Sequence, residues 1–131
     1  MARDKVKVQL PKIDNLTTVA EKELVQTTVT QANGVVIEKP LECMRNTTVI
    51  MVTNSDVSND STVTFKKGDA YPNSMRGDKT IAVGKGKTVV LMLQDPSQFI
   101  NREGNIDVDF ATGFTGTIAV IGKPTGVGQG H

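Results

Sequence analysis

The chain has 131 residues and a mass of 14.1 kDa, with 15 basic and 14 acidic residues, one Cys, one His and no Trp. That length supports one domain around a single core. A net charge of +1 argues against a basic nucleic-acid binder, a single Cys excludes an internal disulfide framework, and an aromatic content of 4% leaves too few rings for a base-stacking platform.

In chain order, the charged start Met1–Val8 is followed by no apolar h-region, and no stretch approaches the ~18 apolar residues of a membrane span. The expectation is a chain made in a cytoplasm, with Cys43 reduced. Residues 1–23 are read as an extended N-terminal arm. Val6, Val8, Leu10 and Ile13 alternate with charges, and Pro11 interrupts them. Leu16–Leu24 has the length for one or two helical turns, which Thr17-Thr18-Val19 opposes.

Residues 24–123 read as one β domain. The segments Leu24–Thr30, Val35–Glu38, Thr47–Thr53, Ser61–Lys66, Lys79–Val83, Thr88–Leu93, Gln98–Ile100, Asn105–Phe110 and Gly116–Ile121 are rich in Val, Ile and Thr, which suit a pleated, half-buried surface. Val63 with Phe65, and Ile106 with Val108 and Phe110, recur at period two and predict one buried face each. Ala32-Asn33-Gly34 carries the Asn-Gly of a tight hairpin, and Gly84-Lys85-Gly86-Lys87 reads as a basic hairpin turn. Short strands punctuated by turns predict a single antiparallel β-sandwich, Ig-like or jelly-roll-like. Residues 124–131 form a Gly-rich tail that is expected to be loose.

No residue set nominates catalytic chemistry, a cofactor or a metal shell. Gly84-Lys85-Gly86-Lys87-Thr88 imitates a phosphate loop, but the Walker spacing requires Gly where Ile81 stands, and the segment leads into a strand rather than a helix. Arg76-Gly77-Asp78 spells an adhesive tripeptide inside a long loop that includes Tyr71 and Met75. Loops of this kind carry contacts, so Tyr71, Met75 and Arg76 are candidate partner contacts. Asp107 and Asp109 share a strand face but are too few for a calcium cage. Asp56, Asn59 and Asp60 lack EF-hand spacing. His131 ends a Gly-rich tail, and Cys43 sits among apolar neighbours as a small hydrophobe. The expectation is a protein that is not an enzyme.

The order of segments from about Asn46 to Pro124 resembles the small β-sandwich structural proteins of tailed bacteriophages. It runs Thr47-Thr-Val-Ile-Met-Val-Thr-Asn54, Ser61-Thr-Val-Thr-Phe65, a Lys/Gly turn into Thr88–Leu91, Asn105-Ile-Asp-Val-Asp-Phe110 and Thr115-Gly-Thr-Ile-Ala-Val-Ile121. The resemblance implies a virion protein, most like a capsid decoration (cement) protein that stabilises the shell. The major capsid protein or another virion protein is the expected partner, a homotrimer or other homo-oligomer the expected assembly, and neither nucleic acid nor membrane a partner. A head-completion, tail or baseplate component is the alternative, and a carbohydrate- or cell-surface-binding module a further one. In this reading the arm adds a strand to a neighbour's sheet, so Arg3, Lys5, Val6, Lys7, Val8 and Leu10 are the candidate arm contacts.

Overall fold

Alternation of aliphatic and polar residues becomes two faces once the chain is extended, because successive side chains of a strand point to opposite sides. In the computed structural model, which describes residues 2–10, 24–40, 48–69, 73–93 and 96–122, this produces β1 (Asp4–Lys7), β2 (Thr27–Thr28), β3 (Val35–Glu38), β4 (Thr48–Asn54), β5 (Ser61–Phe65), β6 (Lys79–Val83), β7 (Thr88–Leu93), β8 (Ile106–Phe110) and β9 (Gly116–Ile121). They form two stacked sheets. Sheet A has the order β1-β3-β8-β5-β6, and sheet B has the order β2-β9-β4-β7.

The pairing has a simple rule. β2 pairs with β9, β3 with β8, β4 with β7 and β5 with β6, all antiparallel. These are the nested pairs of one long hairpin folded over on itself, and β4–β9 and β5–β8 close each sheet. This is the jelly-roll arrangement, which decides between the two sandwich types expected from sequence. β1 is added at the edge of sheet A, parallel to β3.

The inner faces meet in one apolar layer. Sheet A contributes Val6, Val35, Ile37, Val63, Phe65, Ile106, Val108 and Phe110, and sheet B contributes Ile50, Val52, Ile118 and Val120. Two aromatic pairs extend it: Phe65 with Phe99, centroids 6.0 Å apart, and Phe110 with Phe114, 4.7 Å apart.

Two turns differ from expectation. Asn33-Gly34 is no two-residue hairpin, since β2 and β3 lie in different sheets. A type I′ hairpin needs positive φ at both central residues, and here only Gly34 has it, at 68°. The turn is closed by the N–H groups of Asn33 and Gly34 on the carbonyl of Thr30, and it carries the chain from sheet B to sheet A. Gly84–Lys87 likewise crosses between sheets, from β6 to β7. The expected strand Leu24–Thr30 shrinks to Thr27–Thr28. Of Gln98–Ile100, Gln98 ends a 3-10 turn, Pro96–Gln98, Phe99 continues as a turn, and Ile100 makes a single bridge to Ile106. Pro96 has no N–H for a ladder.

Phe65 is almost fully buried against Phe99, so Phe65→Ala is expected to lower unfolding free energy by about 3–5 kcal/mol in urea titration.

Candidate interaction surface

The arm residues split by face. Val6 is 3% exposed and packs in the core, with Val8 against it. Lys5 and Lys7 face solvent, and Leu10 is exposed. Arg3 reaches across the end of β3 to β8. Its Nη1 donates to the Val108 carbonyl at 2.9 Å and to Asp109 Oδ1 at 2.6 Å, and its Nε lies 3.6 Å from Asp107 Oδ1. Gly34 makes this possible, because a Cβ there would sit 2.5 Å from Arg3 Nη1 and 2.8 Å from the Val108 oxygen. Of the two aspartates considered as calcium ligands, Asp109 therefore accepts from Arg3 and Asp107 forms an ion pair with it.

Past β1, the arm leaves sheet A for sheet B. Gln9 N–H donates to Val120 O at 2.8 Å, and Gly122 N–H donates to Gln9 O at 2.9 Å. The Gln9 side chain grips the Val25 backbone from both sides, donating at 2.6 Å and accepting at 2.8 Å. These contacts place the described arm on its own domain, with Arg3, Val6 and Val8 all engaged there.

Of the loop candidates, Met75 is 71% exposed, and Arg76 is exposed at the end of a 3-10 turn, Asn73–Arg76. Tyr71 lies outside the described residues, as do Cys43 and His131. The Asp of Arg76-Gly77-Asp78 is occupied within the domain. Asp78 accepts from Lys67 N–H at 2.7 Å and pairs with Lys66 Nζ at 2.9 Å. The Lys67 N–H and then the Lys66 ammonium hold its carboxyl below the ordinary value of 3.8, and the same pair raises Lys66 above 10.5.

A cleft of about 140 Å³ lies at one end of the sandwich, between Asn54, Asp56, Asn59, Asp60 and Thr112. Asn54, Asp56, Asn59 and Asp60 are hydrogen-bonded within the domain. Asn54, only 1% exposed, donates to Asn59 O and Val83 O and accepts from Asp56 N–H. Asp56 accepts from the Asn59 side chain and from Ser58 and Asn59 N–H, and Asp60 accepts from Lys85 N–H. The Asn59 side chain, followed by Ser58 N–H, pulls the Asp56 carboxyl below 3.8. Among the described residues, no three of His, Cys, Asp and Glu gather as a metal shell requires.

The two outer faces contrast. That of sheet A is polar: Lys5 and Lys7 on β1, Asp107 and Asp109 on β8, and Thr64 hydrogen-bonded to Thr80 at 3.0 Å. That of sheet B is apolar over two cross-strand rows. Met92, Val49 and Ile121 form one; Val90, Met51 and Ala119 form the next. A third row, Thr88, Thr53 and Thr117, is polar. Val90 is 60% and Met92 70% exposed, Val49, Met51 and Ile121 are half-buried, and Ala119 is buried. Contiguous exposed apolar area of this kind marks interaction surfaces. The sequence signal is the unbroken run Val89–Leu93, which reads as a strand but does not disclose that one of its sides meets water.

Val6→Ala is expected to cost on the order of 2 kcal/mol, and deletion of residues 1–10 to lower the melting temperature markedly, by calorimetry. Asp56 and Asp78 are expected to titrate below 3.8 in a carboxyl NMR titration. Their contribution to stability is complete above the unfolded value and lost as pH falls through the depressed folded value. That of Lys66 is complete below 10.5 and lost as pH rises through its raised folded value.

No protein-family model matches this chain, and neither a curated protein nor a solved structure matches it.

Proposed function

We propose that this chain is a non-enzymatic structural protein of a bacteriophage virion, a decoration protein that binds the capsid shell through the outer face of sheet B. The observation that carries this reading is the outward apolar patch of Met92, Val49, Ile121, Val90 and Met51, in which Val90 and Met92 are more than half exposed. Covering such a patch with a partner removes apolar area from water, while the charged face of sheet A suits the medium.

Two further points support it. The plan of segments over residues 46–124 resembles small phage head proteins. The jelly roll is also an architecture of viral capsid domains. It serves lectins too, so the argument rests on the surface rather than on the fold.

Quantitative mass spectrometry of purified virions of the encoding phage tests the proposal. The expected result is one copy per capsid subunit or per lattice point. About a dozen copies or fewer would move the chain to the neck, tail or baseplate, as particle symmetry dictates, and absence from the particle would overturn the virion reading. On the particle, Met51→Glu is expected to weaken binding about tenfold or more in co-sedimentation, since it sets a charge into an apolar contact.

A further inference from the structure

A sheet edge exposes backbone N–H and C=O groups, and proteins guard such edges with charge, proline or brevity. Three of the four edges here follow that practice. β1 carries Asp4, Lys5 and Lys7, β6 begins at Lys79, and β2 has two residues. β7 does not. Its six residues, Thr88-Val-Val-Leu-Met-Leu93, include no charge, Pro or Gly.

The backbone phase of β7 follows from one hydrogen bond. Asn54 N–H donates to the Lys87 carbonyl at 2.9 Å, so residue 87 turns its polar groups toward β4. Antiparallel alternation then turns those of Val89, Leu91 and Leu93 toward β4 and those of Thr88, Val90 and Met92 away from it. Among the described residues, no strand pairs with that outer edge. The same residues carry the exposed side chains of Val90 and Met92.

We propose that this edge pairs with β7 of a second copy, antiparallel about a two-fold axis at Leu91. Val90 then exchanges backbone hydrogen bonds with the partner's Met92, and Met92 with the partner's Val90. Leu91 meets its own equivalent on the core side. The two four-stranded sheets become one of eight strands. Charge selects this direction. Lys87 precedes the strand, and antiparallel pairing keeps the lysines of the two copies at opposite ends of the seam. Parallel pairing would set lysine against lysine. The contact is isologous, so it closes at two copies and does not propagate. A strand of six residues spans ~20 Å and buries less than the ~1,200 Å² of a standard interface, which makes the dimer concentration-dependent. The pairing does not rest on the virion reading, and the purified chain alone tests it.

Sedimentation velocity from about 1 µM to about 1 mM is expected to show mass rising from monomer to dimer. Val90→Pro removes an N–H that faces the open edge and leaves the β4–β7 ladder intact. It is expected to raise the dissociation constant about tenfold or more, with the circular dichroism of the folded chain retained. Met92→Lys, at an exposed side chain, is expected to do the same and decides the matter if the proline variant fails to fold. A wild-type chain that stays monomeric, a trimer, or folded variants that dimerise like the wild type would each overturn the proposal. So would a monomer whose Val90 and Met92 amides are already protected from hydrogen exchange, because its own chain would then occupy the edge.

Discussion

The dry layer between the two sheets is what every other feature of this chain depends on. One Cys in 131 residues means that no internal covalent link joins the sheets, so they hold together by burying one side of each strand. The layer is built of aliphatic side chains, with Val35, Ile37, Ile106 and Val108 facing Ile50, Val52, Ile118 and Val120. Register is therefore fixed tightly. A slip of one residue in β5 would send Val63 and Phe65 to water and bring Thr62 and Thr64 inside. The layer also dictates the course of the chain, because among the described strands only the β5–β6 connection stays within one sheet. Nearly all pairing is thus between distant parts of the sequence, a topology that folds slowly because loop closure precedes the contacts that reward it.

Much of this architecture is legible in the residues. Val35–Glu38, Lys79–Val83, Thr88–Leu93 and Gly116–Ile121 coincide with the observed strands, since β-branched runs between Gly- and Asn-rich turns leave few alternatives. The inward sides of β5 and β8 follow from strict alternation. Partner choice is a different kind of information. Asn33-Gly34 and Gly84–Lys87 have hairpin composition, yet each bridges the sheets, because a turn's composition fixes a local bend and not which sheet receives the next strand. The arm is the segment whose residues specify its partner least. Its alternation of Val6, Val8 and Leu10 suits a neighbour's sheet and its own sheet equally, and the choice is made by Arg3 and Gly34, two residues that meet β8 only after folding.

The contrast between the outer faces is informative for the same reason. In β8, Asp107 and Asp109 alternate with the core residues, so the strand declares which side is wet. In β4 and β7 the outward positions are Val49, Met51, Val90 and Met92, and periodicity disappears from the sequence. Hydrophobic patterning reports burial within the chain and burial against something else in the same alphabet. Only the edge position of β7 separates the two. Asn54 shows the complementary case. As a buried polar residue it is fully satisfied by Asn59, Val83 and Asp56, so it fastens the end of β4 to its loop and to β6 without providing a reactive group.

The route of the first ten residues has a mechanical meaning. β1 runs parallel to β3, and Gln9 runs parallel to β9, the last strand described. When the two ends of the domain are drawn apart, Gln9 and β9 slide past each other along their length. Their hydrogen bonds to Val120 and from Gly122 are then loaded together in shear, instead of opening one at a time as in a peeled hairpin. The Arg3 contacts with Asp107 and Asp109 lie nearer the pulled N-terminal end and bear the load before them. The segment that looks most like a loose leader in the sequence is thus the domain's clasp against tension.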